Sequence, residues 1–128
     1  MPNTHLGIDA SLCGTPVAQS PGRATARLTP TAAMAVDDRS LVHGGFVFGL
    51  ADYAAMLAVD DPFVVLGSAD VRFLKPVVVG EALSADAVVD VVAGKKRAVR
   101  VVVTRGADEV FTGTFTCFVL ERHVLEKS

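Results

Sequence analysis

An α+β domain, with a curved antiparallel sheet wrapped around one long central helix, is the architecture the sequence predicts. Three observations carry it. Residues 46–59, FVFGLADYAAMLAV, form an apolar run rich in Ala, Leu and Met with no turn signal inside it. Residues 69–120 divide into four segments of alternating character joined by short turns. Residues 23–29, RATARLT, set Ala24, Ala26 and Leu28 against Thr25, Arg27 and Thr29, the period of a half-buried strand.

Taken in order, residues 1–20 contain Gly7, Gly14 and Pro16 and predict only a loosely structured start. A polar connection, DDRS, follows the first strand. The run after His43, Gly44 and Gly45 is apolar on nearly all sides, so as a helix it must be wrapped by other structure. It ends at DDP, residues 60–62. Beyond it, ADVRFLK places Ala69, Val71 and Phe73 on one face, and EALSADAVVDVV resumes the alternation after Pro76 and Gly80. AGKK turns the chain into RAVRVVVTR, and GADE turns it into VFTGTFTCFVL, with Phe111, Phe115 and Cys117 opposite Thr112, Thr114 and Thr116. Short connections imply that these four strands form an antiparallel meander.

The 128 residues suit one domain spanning the chain. Hydrophobic residues make up 51% against 20% charged, far from the disordered class, and part of the apolar surplus is expected between subunits. A formal charge of −2 argues against a general nucleic-acid surface. The start of the chain has neither a basic leader nor a continuous apolar segment, so a cytoplasmic location is expected. The run at 46–59 is too short to span a membrane and carries Asp52. Cys13 and Cys117 are far apart in sequence, and His5, His43 and His123 are scattered; none has metal-ligand spacing, so reduced thiols and no metal are expected.

The chemistry is concentrated in LVHGGFVFGLADYAAMLAVDD. Glycines 44 and 45 stand where the helix begins, and amides with no intrahelical partner there can point at a carbonyl oxygen. They equally suit a turn that lets backbones pack closely. A carboxylate at Asp52 in dry surroundings has a raised pKa and can act as nucleophile or general base; a satisfied structural acid is the other reading. Eight residues of helix separate Gly44 from Asp52, about 12 Å along the axis, too far for both to address one carbon. Cooperation between them requires an antiparallel second copy, hence a two-fold dimer with two shared sites.

HGG, an acid nine positions after the His, and SADVRFLKPVVVGEALSADAVV together resemble the hot-dog-fold acyl-CoA thioesterases of the PaaI-like, phenylacetate type. The resemblance runs from about residue 23 to 120 and includes Phe73, Leu74, Pro76 and Gly80 of a recurring F-L-x-P and Gly pattern. It implies a homodimer or homotetramer acting on an acyl-CoA with no cofactor beyond the substrate's own coenzyme A. Gly44 would polarise the thioester carbonyl, Asp52 would activate water or attack, and His43 would order the site, with Gly45 beside it. Members often carry Asn six residues before the His, where this chain has Asp37, and some use Ser or Thr near the position of Ser68. The segment GSADVRFLKPVVVGEALSADAVV also resembles the effector domain of malonyl-CoA-responsive repressors, which binds acyl-CoA without hydrolysing it. Hydration or dehydration of a carrier-bound acyl group is a third chemistry, served only by His43. Candidate partners for the coenzyme A phosphates are Arg72, Lys75, Lys95, Lys96 and Arg97, although GKKR also reads as a solvated turn. Phe46, Phe48, Tyr53 and Met56 are candidates to line an acyl pocket.

Overall fold

The computed structural model describes residues 2–126. A short helix α1 (Ala10–Cys13) leads into strands β1 (Thr15–Ser20) and β2 (Arg23–Leu28), then a 3-10 turn at Ala32–Met34 and the long helix α2 (Gly44–Val59). Strands β3 (Val64–Phe73), β4 (Leu83–Ala93), β5 (Lys96–Arg105) and β6 (Asp108–Val119) complete one antiparallel sheet in the order β1-β2-β4-β5-β6-β3.

Two expectations need correction. Residues 9–20 of the start expected to be loose are built into the fold, Met1 lying outside the described residues: Asp9 caps α1 through Ser11 N–H at 2.9 Å, and β1 pairs with β2. The strand escaped detection because Pro16 sits in it. Proline is tolerated at a sheet edge, and the β1 register shifts between Pro16 and Ala18. The four later strands are also not a simple meander. Strand β3 pairs with β6 at the far edge, whereas β4 pairs with β2. Residues 74–82 carry the chain between them, past the start of α2, held by Val42 N–H on Val77 O and Gly80 N–H on Pro30 O, each 2.9 Å.

Inward-facing Ala24, Ala26, Leu83, Ala85, Ala87, Val99, Val101, Val103, Phe111 and Phe115 meet Leu50, Ala54, Met56 and Leu57 of α2 in the core. Small alanines on β2 and β4 let the helix lie close against that half of the sheet. Helix α2 therefore rides over β2, β4 and β5 and only grazes β6 and β3. It ends at Asp60, which takes the left-handed conformation at φ 54 and donates its N–H to Met56 O at 2.8 Å. Among the described residues, no helix is long and apolar enough to cross a membrane.

Candidate active site

At the start of α2, His43 is extended (φ −62, ψ 131) and contributes no side-chain cap. The first amide of the helix to find an acceptor is that of Phe46, which donates to the His43 carbonyl at 3.1 Å. Gly44 and Gly45 N–H thus remain without acceptors among the described residues, with the positive end of the helix dipole behind them. The Phe73 ring lies across Gly44 so closely that a Cβ there would stand 3.1 Å from Cε1, and the His43 ring lies over Gly45, with Nε2 3.3 Å from where a Cβ would be. His43 also meets Phe46 edge-on at 6.1 Å between ring centroids.

Asp52 lies two turns further along, partly buried, with its Oδ1 shut from solvent and lacking any hydrogen-bond partner among the described residues. Burial pushes its carboxyl from 3.8 up to about 6. The carboxylate reaches electrostatically to Cys117, whose thiol is pushed up to about 12, by burial first and by Asp52 second. Cys13 is raised by the same two causes, in the same order. Asp52 thus sits on the flank of α2 that turns towards β6. Along that flank Gly45 is exposed, Gly49 faces open space, and Phe48 packs on Phe115 at 5.4 Å.

A cavity of about 200 Å³ opens beside Gly44. Its walls are Val42, Val47, Phe73, Leu74, Pro76, Val77 and Val110, with Lys75 at the rim. Lys75 Nζ is held by Asp108 Oδ1 at 3.0 Å; Asp108 also takes Arg105 Nη2 at 3.4 Å, and Arg105 Nη1 reaches Glu81 Oε1 at 3.2 Å and Pro76 O at 2.7 Å. Those pairings, Lys75 foremost, hold the Asp108 carboxyl below its usual value. They pin residues 74–81 as a rigid wall.

The structure brings together only part of the predicted site. Gly44, Gly45 and His43 cluster, and Asp52 lies on the same helix beyond their reach. Asp37 accepts Arg39 and Leu41 N–H at 3.0 and 3.2 Å, so it shapes its own loop. Ser68 is exposed on the edge strand next to a register shift, and Arg72 pairs with Asp70 at 3.3 Å on the surface. Lys95, Lys96 and Arg97 form the β4–β5 turn, across the sheet from Gly44: Lys96 pairs with Phe118, near the start of β3, whereas Phe73 closes β3. Arg97 is occupied by Gly94 O at 2.7 Å and Lys96 O at 3.1 Å. Tyr53 and Met56, expected as pocket lining, are 5% and 1% exposed and belong to the core. Residues 73–77 line the cavity in their place. Their F-L-x-P signal was visible in the sequence, but nothing local said that it folds back onto Gly44.

No family model matches the chain. It is 49% identical over 119 residues, 92% of its length, to methylthioribose-1-phosphate isomerase of Aquifex aeolicus, and 33% identical over 98 residues to the transcription factor FapR of Caldanaerobacter subterraneus subsp. tengcongensis. It spans only 26% and 49% of the length of those two curated relatives. Among solved structures, an uncharacterized protein of Pyrococcus horikoshii superposes with TM-score 0.96 and 50% identity, over 98% of this chain and 99% of that one. A variant of the phenylacetic acid degradation protein PaaI from Thermus thermophilus follows at TM-score 0.78 and 29% identity, over 85% and 95% of the two chains. A sheet curved around one long helix, a paired glycine at its start and these relatives converge: the chain has the hot-dog fold and is similar to the PaaI-like proteins that share it.

Proposed function

We propose that the protein is a cytoplasmic thioesterase that hydrolyses an acyl-CoA to the free acid and coenzyme A, at a site completed by a second copy of the chain. The observation that carries this reading is the unpartnered, buried Oδ1 of Asp52, held near pKa 6 by desolvation. An orphaned carboxylate is costly to keep in a core without a use, and its pKa suits a base working near neutrality. Free amides at Gly44 and Gly45 supply the complementary half, donors for the oxygen that becomes negative as the thioester carbonyl is attacked.

Assembly follows from the off-centre helix. The inner face of β3 is met by its own α2 at the two ends, at Val64 in the core and at Phe73 over Gly44, and stays exposed between them at Ala69, while the outer edge of β3 has no partner strand among the described residues. A second copy related by a two-fold axis covers that face and runs its α2 antiparallel to the first, which places the partner subunit's Asp52 opposite Gly44. Water then attacks the carbonyl carbon as the carboxylate takes its proton, and the C–S bond breaks to release the thiol. Direct attack by the carboxylate, through an anhydride that water cleaves, uses the same placement. Lys95 and Lys96 are exposed but lie across the sheet from Gly44 of the same chain, so they would serve the phosphates only where the second copy brings them to the site.

Free-thiol release from acetyl-, malonyl-, phenylacetyl- and octanoyl-CoA, measured for wild type and Asp52→Asn side by side, tests the proposal. Wild type should turn over at least one thioester, and the Asn variant should lose about 10²–10⁴-fold. A second reading, a non-catalytic acyl-CoA-binding module, is favoured by the likeness to half of the transcription factor FapR. No thiol release, with malonyl-CoA still raising the melting temperature of both proteins, would establish that reading instead.

A further inference from the structure

The cavity beside Gly44 combines three properties. Its walls are apolar, and the one cation at its rim, Lys75, is already taken by Asp108 at 3.0 Å, so the cavity offers no charge to phosphate or carboxylate. Its far side is tied down, because Arg105 bonds Pro76 and Glu81 beside the β5–β6 turn. At about 200 Å³ it falls below the roughly 300 Å³ at which pockets for drug-sized ligands begin.

One wall differs from the rest. Phe73 is 57% exposed, whereas Val42, Val77 and Val110 are buried at 6%, 3% and 1%. Its ring lies on Gly44, stands edge-on to Phe111 at 5.1 Å, and closes the cavity on the side nearest the free amides. Trimming a buried wall would empty the core; trimming Phe73 lengthens the cavity and leaves this chain's own core filled, at a ring that also borders the face proposed above for the second copy.

We infer that this cavity is the acyl subsite, that the protein takes short, uncharged acyl groups, and that Phe73 sets the length limit. The inference rests on the thioester reading above. A thioester whose carbonyl oxygen sits on the Gly44 amide directs its acyl chain along the Phe73 ring, and the chain stops at the pinned residues 74–77. In an apolar pocket each methylene that fits or clashes changes discrimination by about 10–200-fold, so the limit should be sharp.

The test is the ratio of kcat/KM for octanoyl-CoA over butanoyl-CoA in wild type, Phe73→Leu and Phe73→Ala. Wild type should favour butanoyl, and the ratio should rise by at least about tenfold in Phe73→Ala, with Phe73→Leu between. An unchanged ratio in both variants alongside normal turnover overturns the subsite and leaves the thioesterase standing. Should Phe73→Ala not fold, or lose the second copy by light scattering, Phe73→Leu decides by the same criterion. If no thioester is hydrolysed, titration calorimetry with the same two acyl-CoAs reads the ratio as affinities. A length preference that moves with residue 73 then upholds the subsite while hydrolysis is abandoned, and no binding of either overturns both.

Discussion

Asp52 links the titration of one residue to both activity and stability. Its folded carboxyl is raised from 3.8 to about 6, so between those values the native state holds a proton that the unfolded state has released. Stability present below about pH 4 is therefore lost as pH rises through 6, by about 3 kcal/mol in total. Subtracting the urea stability of Asp52→Asn from that of wild type between pH 4 and 7.5 should show this decline; a flat difference would mean that the carboxylate finds a partner in solution. Catalysis runs the other way. The base must be ionised, so kcat/KM should rise through an apparent pKa near 6. Gly44 offers a deletion of one amide. It is the first residue of α2, its N–H is free, and His43 at φ −62, ψ 131 already has the backbone that a following proline demands. Gly44→Pro removes that amide hydrogen but, like Gly44→Ala, sets a Cβ 3.1 Å from the Phe73 ring, so Gly44→Ala is its control, and kcat should fall about 10²–10³-fold further in the proline variant than in the alanine one. A variant with full activity would relieve that amide of its role.

Among the elements, the junction of β3 with β6 depends on close approach. A Cβ on Gly113 would stand 2.7 Å from Val71 Cγ1 and 3.2 Å from the Asp70 carbonyl oxygen. A side chain can turn away, but the carbonyl cannot move without disturbing the β3 ladder. Gly113→Ala should therefore cost about 1–3 kcal/mol in chemical denaturation, and an unchanged midpoint would mean that β3 shifts freely. The same strands illustrate what was legible. Alternation in residues 97–105 and 110–120 marked them as strands and set Phe111, Phe115 and Cys117 on one face, which the structure buries in the core. Strand β1 was missed because edge strands need less apolar alternation and tolerate Pro16. The pairing of β3 with β6 was missed because the route of residues 74–82 is set by backbone bonds to residues 30–42, which no local pattern announces.

For the molecule as a whole, the exposed middle of the inner face of β3 is the test of assembly. Ala69 is exposed there, in register with Phe115, so Ala69→Glu burdens no core contact within one chain. Light scattering should find wild type as a dimer or dimer of dimers and Ala69→Glu as a folded monomer without turnover, since each half-site would lack its carboxylate. A monomeric wild type that still hydrolyses thioesters would sink the shared site. By itself, the sequence determined the α+β class, the central helix with its glycine start, and the isolation of Asp52, because periodicity and composition are local properties that survive without knowledge of neighbours. Only the tertiary structure decided which strands meet, that Tyr53 and Met56 fill the core, that the GKKR turn lies across the sheet from Gly44, and that Phe73 folds over it. These are distances between residues far apart in the chain, set by how the elements pack together.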